Sequence, residues 1–238
     1  MKVLAIVTDG FGGHGGIALY TRNLLRGLCA HPARPRVVAV PRGMPLSPEA
    51  MPPNLLWDTS GIAGKGPFAK AVLRGAVREA PVDLVLCTHV NLLPLAYPVA
   101  RLHRAPLVLV VYGIEVKQPK GRAVARYLAS RIEAVISIRR RTTRALAAWT
   151  SQNHVQTFLL ENAIDLSRYG VAPKAADLVE RFGLAGKRVV MTMSRLGEQY
   201  IGVDEVLAAL PEIRSSQGLS PISSSQSVQS HLTHSSHI

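Results

Sequence analysis

The sequence predicts an α/β protein whose main body is a doubly wound, mostly parallel sheet. Three observations predict it. Short apolar runs of strand length alternate with segments of helical spacing from Lys2 to Leu160. Runs such as Val82–Thr88 (Val-Asp-Leu-Val-Leu-Cys-Thr) are nearly continuously apolar, as strands covered on both faces must be. The joints between the segments are short and marked by Gly or Pro.

Taken in order, Lys2–Thr8 reads as a strand that ends in the cluster Gly10-Phe11-Gly12-Gly13-His14-Gly15-Gly16. Ile17, Tyr20, Leu24, Leu25 and Leu28 then recur at helical spacing. Arg36–Val40 is a second strand, closed by Pro41, and the Pro- and Gly-rich residues 41–66 hold one strand around Leu55-Leu56-Trp57. Phe68–Glu79 reads as a helix, Val82–Thr88 as a strand, Leu92–His103 as a helix and Pro106–Tyr112 as a buried strand. Arg122–Ser130 is helical, Ala134–Ile138 a strand, Arg139–Trp149 a helix, and Val155–Leu160 the closing strand. This alternation makes residues 1–170 a Rossmann-like domain.

A second such domain begins near Val171 and is incomplete. Its signals are a strand at Lys187–Ser194 and a helix carrying Val203, Val206, Leu207 and Leu210, and the pattern stops after Pro211-Glu212-Ile213. Residues 214–238 are expected to be a disordered tail. From Ser215 on they contain ten serines, three histidines and no acidic residue, too little apolar surface to offset the entropy of ordering. A change of composition in the middle of an α/β repeat is what a shifted reading frame produces, so we expect the second domain to be truncated in these 238 residues.

Hydrophobic residues make up 47% of the chain, which excludes a disordered protein as a whole. Cys29 and Cys87 lie far apart in apolar segments and form neither a disulfide framework nor a metal-ligand pattern, so both are expected as core thiols. The N-terminal apolar run is too short for a secretory signal, and no stretch approaches the roughly 18 apolar residues that span a bilayer. A cytoplasmic protein, peripheral at the inner face of the membrane, is the expectation. The net charge of +13 points to an anionic partner.

The glycine cluster carries the first candidate chemistry. Gly10-x-Gly12-x-x-Gly15 follows a strand and opens a helix, where exposed backbone N–H groups and the helix dipole favour an anion. An NAD(P) enzyme needs an acid at the end of the second strand to hold the ribose hydroxyls, and this strand ends Val40-Pro41-Arg42. An NAD(P)-binding enzyme therefore stands only as a lesser alternative.

Five segments then resemble, in order, those of family 4 glycosyltransferases. Gly15-Gly16 with the helix to Leu25 resembles the family's N-terminal loop and first helix. Tyr112-Gly113-Ile114-Glu115 resembles its His-Gly-Ile-Asp/Glu segment, and Ser137–Thr142 its Val-Ser-x-x-Thr helix start. Glu161–Tyr169 resembles the Pro-Asn-Gly-Val-Asp linker, and Ser194-Arg195-Leu196 with Gly202-Val203-Asp204 resembles the opening of the donor domain.

The resemblance implies a GT-B fold, in which two Rossmann-like domains face each other. Residues 1–170 would be the acceptor side and residues 171–213 the start of the donor side. It implies retaining transfer of a hexosyl group from a nucleotide sugar to a glycan, lipid or small-molecule acceptor, as in polysaccharide biosynthesis, with no metal and no cofactor beyond the donor. Gly15, Gly16 and Arg195 would meet the donor's phosphates, the arginine through a bidentate fork. Tyr112 stands where the family places a histidine near the sugar, and Glu115 is the nearest carboxylate, so both are candidate catalytic groups. Ile201 stands where a phosphate-binding lysine is common, and no glutamate pair with the family's spacing follows Glu198. The 238 residues alone are therefore expected to be inactive. A non-catalytic remnant that binds an acceptor or a membrane is the alternative.

His14, in the glycine loop, and His89, at a strand end, are candidate acceptor or substrate contacts. Arg139-Arg140-Arg141 with Arg144, preceded by Lys117, Lys120, Arg122 and Arg126, suits an anionic membrane surface. Nucleic acid is excluded as a partner, because no recognition motif or aromatic interleaving accompanies the charge. His231, His234 and His237 lack the cysteine or carboxylate support of a metal site.

Overall fold

In the computed structural model, the residues described are 1–113, 123–150, 155–164, 166–167, 170–189 and 203–216. The chain divides into two compact units, Met1–Asp165 and Leu166–Ile238, a few residues before the expected boundary at 170.

The first unit is built on seven strands: β1 (Lys2–Val7), β2 (Arg36–Pro41), β3 (Leu55–Trp57), β4 (Leu84–Cys87), β5 (Leu107–Val111), β6 (Ala134–Ser137) and β7 (Gln156–Leu159). They form one sheet in the order β3-β2-β1-β4-β5-β6-β7, and every neighbouring pair is parallel. Such pairs need crossover connections, and helices supply most of them. Helix α1 (Gly15–Ala30) joins β1 to β2, α2 (Lys65–Arg78) joins β3 to β4, and α3 (Leu93–His103) joins β4 to β5. Helix α4 (Ala123–Ala129) precedes β6, and α5 (Arg140–Thr150) precedes β7.

The two faces of the sheet carry separate cores. On one face Val3, Ala5 and Val7 of β1 pack with Phe11, Trp57 and the buried side of α1, including Leu25 and Cys29. On the other, Leu4 and Ile6 pack with α2, α3, α4 and α5, through Val72, Val99, Ala125 and Trp149 among others. Alternate residues of β1 thus serve opposite cores, which is the two-residue period of a strand covered on both sides. Both cysteines are free and buried, as expected.

The strand order reverses between β1 and β4, from which the chain winds outward to β3 on one side and to β7 on the other. The C-terminal ends of these two strands are tied together. The Thr8 N–H donates to Thr88 Oγ1 (3.2 Å), and the Thr88 N–H donates to Ile6 O (3.0 Å). Sheets of this kind place ligand sites at that crevice.

In the second unit, α6 (Ala176–Phe182) ends at Gly183, in the left-handed region, with the Leu184 N–H returning to Val179 O (2.9 Å). None of its residues is buried. Helix α7 (Val203–Ser216) forms where the apolar spacing predicts it. It continues through Pro211 to Ser216, so the start of the expected tail is helical. Lys187–Val189, the start of the strand expected over Lys187–Ser194, is irregular, and the rest of that segment lies outside the described residues. So does the tail from residue 217 on.

Candidate functional site

The loop after β1 is fixed by contacts that leave little room. The Gly13 N–H donates to Gly10 O (2.9 Å), closing a turn. Gly12 has φ +84°, and a Cβ there would lie 2.4 Å from the backbone oxygen of Leu46. A Cβ on Gly13 would lie 2.8 Å from Ala18 and 2.9 Å from the Asp9 carboxylate. These glycines let the loop fold against the start of α1 and against the segment after β2, whose Leu46 N–H donates to Gly12 O (2.9 Å).

Helix α1 opens at Gly15, with His14 as its N-cap in an extended conformation (φ −107°, ψ 152°). The His14 side chain makes no capping bond, and the first turn has no acidic residue. His14, Gly15 and Gly16 are all exposed, and a Cβ on Gly16 would meet nothing within 4 Å. The first N–H groups of a 16-residue helix thus face outward with no side-chain cap, at the positive end of its dipole.

Tyr112 follows β5 and is half-buried, and its ring meets Tyr20 edge-on at 5.6 Å. Its hydroxyl lies 3.2 Å from Thr21 Oγ1, and Thr21 spends its own proton on Ile17 O (2.9 Å). Tyr112 is therefore the donor to Thr21, and its proton is engaged by α1. Tyr20 in turn donates to Leu160 O (2.9 Å), and burial pushes its phenol up to about 12. With Asn23 Nδ2 donating to Ala163 O (3.4 Å), α1 holds the segment after β7 beside the site.

His89 stands at the end of β4, at the crevice. Its Nδ1 accepts from the Asn91 N–H (3.0 Å), so the ring caps a short helical turn, Val90–Leu92. Beneath it, the Cys87 thiol donates to His89 O (3.2 Å), and burial raises its pKa to about 12, which keeps it neutral and unreactive. The end of β2 offers less to a ligand. The Arg42 guanidinium lies over the Phe68 ring, 5.7 Å from its centre.

The family-wide sequence pattern described as Glycosyltransferase Family 4 matches residues 14–168, well over half of the chain. The chain belongs to glycosyltransferase family 4. The match begins at His14, where the glycine loop meets α1, and runs through the linker segment. No curated protein matches the sequence of this family 4 chain. Among solved structures it is similar to HepE from Anabaena in complex with UDP and glucose, at 20% identity and a TM-score of 0.64, over 89% of this chain and 58% of HepE. It is also similar to sucrose-phosphate synthase from Thermosynechococcus elongatus, at 17% identity and a TM-score of 0.67, over 90% of this chain and 60% of the synthase. Likeness at this identity shows the fold, a parallel α/β Rossmann-like unit that matches these GT-B glycosyltransferases. The chain spans less than two thirds of the length of either relative.

Of the candidate residues in this family 4 chain, Gly15, Gly16 and His14 lie together at the start of α1, while His89 and Tyr112 stand at the ends of neighbouring strands β4 and β5. All five thus belong to the C-terminal edge of the sheet. Glu115, Arg195 and Ile201 lie outside the described residues. Among the described residues no three His, Cys, Asp or Glu side chains group as a metal site, and no helix is long and apolar enough to cross a membrane.

Sequence reasoning missed Arg22. Its side chain is only 12% exposed and reaches back under the glycine loop, where Nη1 donates to both Gly10 O and Gly13 O (3.0 Å each). Nothing in a helical Arg-Asn pair signals this; the one available hint was a cation seven residues after the glycine that opens the helix.

Proposed function

We propose that the first unit is the acceptor-side half of a retaining, nucleotide-sugar-dependent hexosyltransferase, and that the start of α1 receives the donor's diphosphate. The observation that carries this is the uncapped, outward-facing N-terminus of α1 at Gly15 and Gly16, preceded by a glycine loop at the reversal of strand order. As the glycosidic bond to the donor breaks, negative charge grows on the leaving diphosphate. Main-chain N–H groups already aimed at that position, with the helix dipole behind them, stabilise the charge without reorganising. Arg195 adds a cation, and no metal or further cofactor takes part. The binding of UDP by HepE supports a uridine-diphosphate sugar as donor. His14, His89, Tyr112 and Glu115 are proposed to face the sugar or the acceptor, which is a glycan, a lipid or a small molecule of a polysaccharide pathway.

The 238 residues taken alone are proposed not to transfer sugar. Arg195 has no lysine partner at Ile201, and the two described helices of the second unit lack a core of their own that could hold a nucleotide. In an NMR titration of the isotope-labelled chain with UDP, the amides of Gly15, Gly16 and Ile17 are expected to shift first. Shifts confined to other regions, or none up to millimolar UDP, overturn the site. Incubation with radiolabelled UDP-glucose and lipid or glycan acceptors should give no product, and product would overturn the proposed inactivity.

A second reading concerns the membrane. Arg139, Arg140, Arg141 and Arg144 are exposed at the first turns of α5 and make no ion pair among the described residues. Cations at a helix N-terminus oppose its dipole. An anionic bilayer at the inner face of the membrane would offset that cost, and it would place the chain as a peripheral cytoplasmic protein.

A further inference from the structure

We infer that Arg22 is the positioning residue of the glycine loop: it holds the carbonyls of Gly10 and Gly13 inward, so that the N–H of the exposed His14 points out toward an anion. The inference rests on the proposed diphosphate site for its purpose, but its geometry is independent of it.

Arg22 lies two turns into α1. Side chains on a helix lean toward its N-terminus, so this guanidinium reaches back beneath the loop that precedes Gly15. Nη1 donates to Gly10 O and Gly13 O, both at 3.0 Å. A trans peptide is planar, with its C=O and N–H pointing in opposite directions. Fixing those two carbonyls on the guanidinium therefore aims the N–H groups of Phe11 and His14 away from it; Phe11 is fully buried, so the His14 N–H is the one that reaches the surface. The His14 peptide then leads directly into the outward-facing start of α1. A glycine-rich loop without this tie is free to turn either edge of its peptides outward, and carbonyls turned outward would repel a phosphate.

The same guanidinium joins the loop to a second element. Its Nε pairs with Glu49 (3.3 Å), and Arg26 pairs with the other oxygen of that carboxylate (3.2 Å) and donates to Ala50 O (3.4 Å). The segment that carries Glu49 is also bonded to the loop through Leu46 and Gly12. Residues 44–50 thus form a strap docked on α1 and on the glycine loop, with Arg22 at the junction. Two arginines share the Glu49 carboxylate here, and the Asp9 carboxylate lies beside Gly13, so the charges at this junction balance and what Arg22 supplies is the orientation of the loop.

The test uses the full 238-residue chain and inorganic pyrophosphate. Arg22→Lys keeps the charge, but a compact ammonium does not reproduce the fork that spans two carbonyls and a carboxylate. Arg22→Ala leaves space for a free guanidinium ion. Both variants are expected to weaken pyrophosphate binding about tenfold or more and to speed amide exchange at Phe11 and His14 by a similar factor, the scale of losing hydrogen bonds to a charged group. Millimolar guanidinium should restore Arg22→Ala but not the wild type, a recovery that a general loss of stability would not show. Glu49→Gln, the milder variant, should speed exchange chiefly in the 44–50 strap. If Arg22→Lys leaves both affinity and exchange at wild-type levels, or if guanidinium restores nothing, the inference is overturned. If the wild type binds no pyrophosphate, the diphosphate site fails, and the exchange and rescue measurements alone decide whether Arg22 orients the loop.

Discussion

Replacing Gly12 by alanine tests the packing of the site most directly. Gly12 has φ +84°, where an L residue costs about 1–2 kcal/mol. Its new Cβ would lie 2.4 Å from Leu46 O, a backbone atom that cannot rotate away. Relieving that contact moves Leu46 and breaks its 2.9 Å bond to Gly12 O, a further ~1 kcal/mol. Together these give a loss of about 2–3 kcal/mol, which for a chain of this size lowers Tm by roughly 5–10 °C. Gly16→Ala is the control. A Cβ there meets nothing within 4 Å, and Gly16 already lies in α1, so alanine should be neutral or stabilising by up to ~1 kcal/mol. The two substitutions therefore move stability in opposite directions, although both lie in one glycine cluster. Urea denaturation followed by the fluorescence of Trp57, which stacks edge-on against Phe11 at 5.4 Å, reads both changes. A Gly12→Ala protein as stable as Gly16→Ala would refute the packing argument. Gly16→Ala carries a second expectation, because a methyl group over the outward-facing N–H groups should weaken UDP while the fold stays intact.

The remaining expectations concern alkaline stability, one buried hydroxyl and the surface charge. Burial raises the Cys87 thiol from its ordinary 9.0 to about 12 and the Tyr20 phenol from 10.0 to about 12, so the unfolded chain loses those protons first. Their contribution to stability is whole below pH 9 and falls as pH rises toward 12; Cys87→Ala should flatten the start of that decline, and an unchanged alkaline profile would count against it. Tyr20→Phe removes the bond to Leu160 O and should cost ~1 kcal/mol in chemical denaturation, with faster amide exchange confined to the segment after β7. Replacing Arg139, Arg140 and Arg141 together by glutamine should weaken co-sedimentation with phosphatidylserine vesicles by up to about 1 kcal/mol per cation, and equal binding by the triple variant would remove the membrane reading.

Much of this fold is written in local spacing. Each strand of the sheet falls on a segment whose spacing predicts one, and α1 begins at the glycines that precede its periodic residues. Parallel pairing follows once helices separate the strands, because no short turn can join them. What spacing does not carry is the use of a polar side chain. His89, a candidate ligand contact at a strand end, has its Nδ1 on the Asn91 N–H. Tyr112, a candidate catalytic group, gives its proton to Thr21, 91 residues away in sequence. Arg22 ties down two loop carbonyls, nine and twelve residues before it. Each of these contacts is made across the fold or around a turn, and its energy depends on a distance that no pattern of residue types encodes. Pro211 shows the limit from the other side: local propensity predicts a stop, and α7 runs through it to Ser216.

The glycine loop by itself is compatible with two ligands, a dinucleotide or the diphosphate of a sugar donor, since both place an anion on a helix N-terminus. The end of β2 separates them. A dinucleotide site needs an acceptor there for the ribose hydroxyls, or a free cation for a 2′-phosphate. Here β2 ends in Pro41, whose neighbour Arg42 donates its N–H to Val7 O (2.8 Å) and lays its guanidinium over Phe68. The segment beyond it does not open a ribose pocket either. It folds back over the glycine loop as the strap that Arg22 and Arg26 hold through Glu49. A nucleotide lying along the sheet toward β2 would have to displace that strap and break both ion pairs. The proposed diphosphate at the start of α1 would meet the exposed N–H groups and leave the strap in place. The loop's surroundings thus fit the proposed diphosphate better than a dinucleotide that needs a ribose pocket at the end of β2.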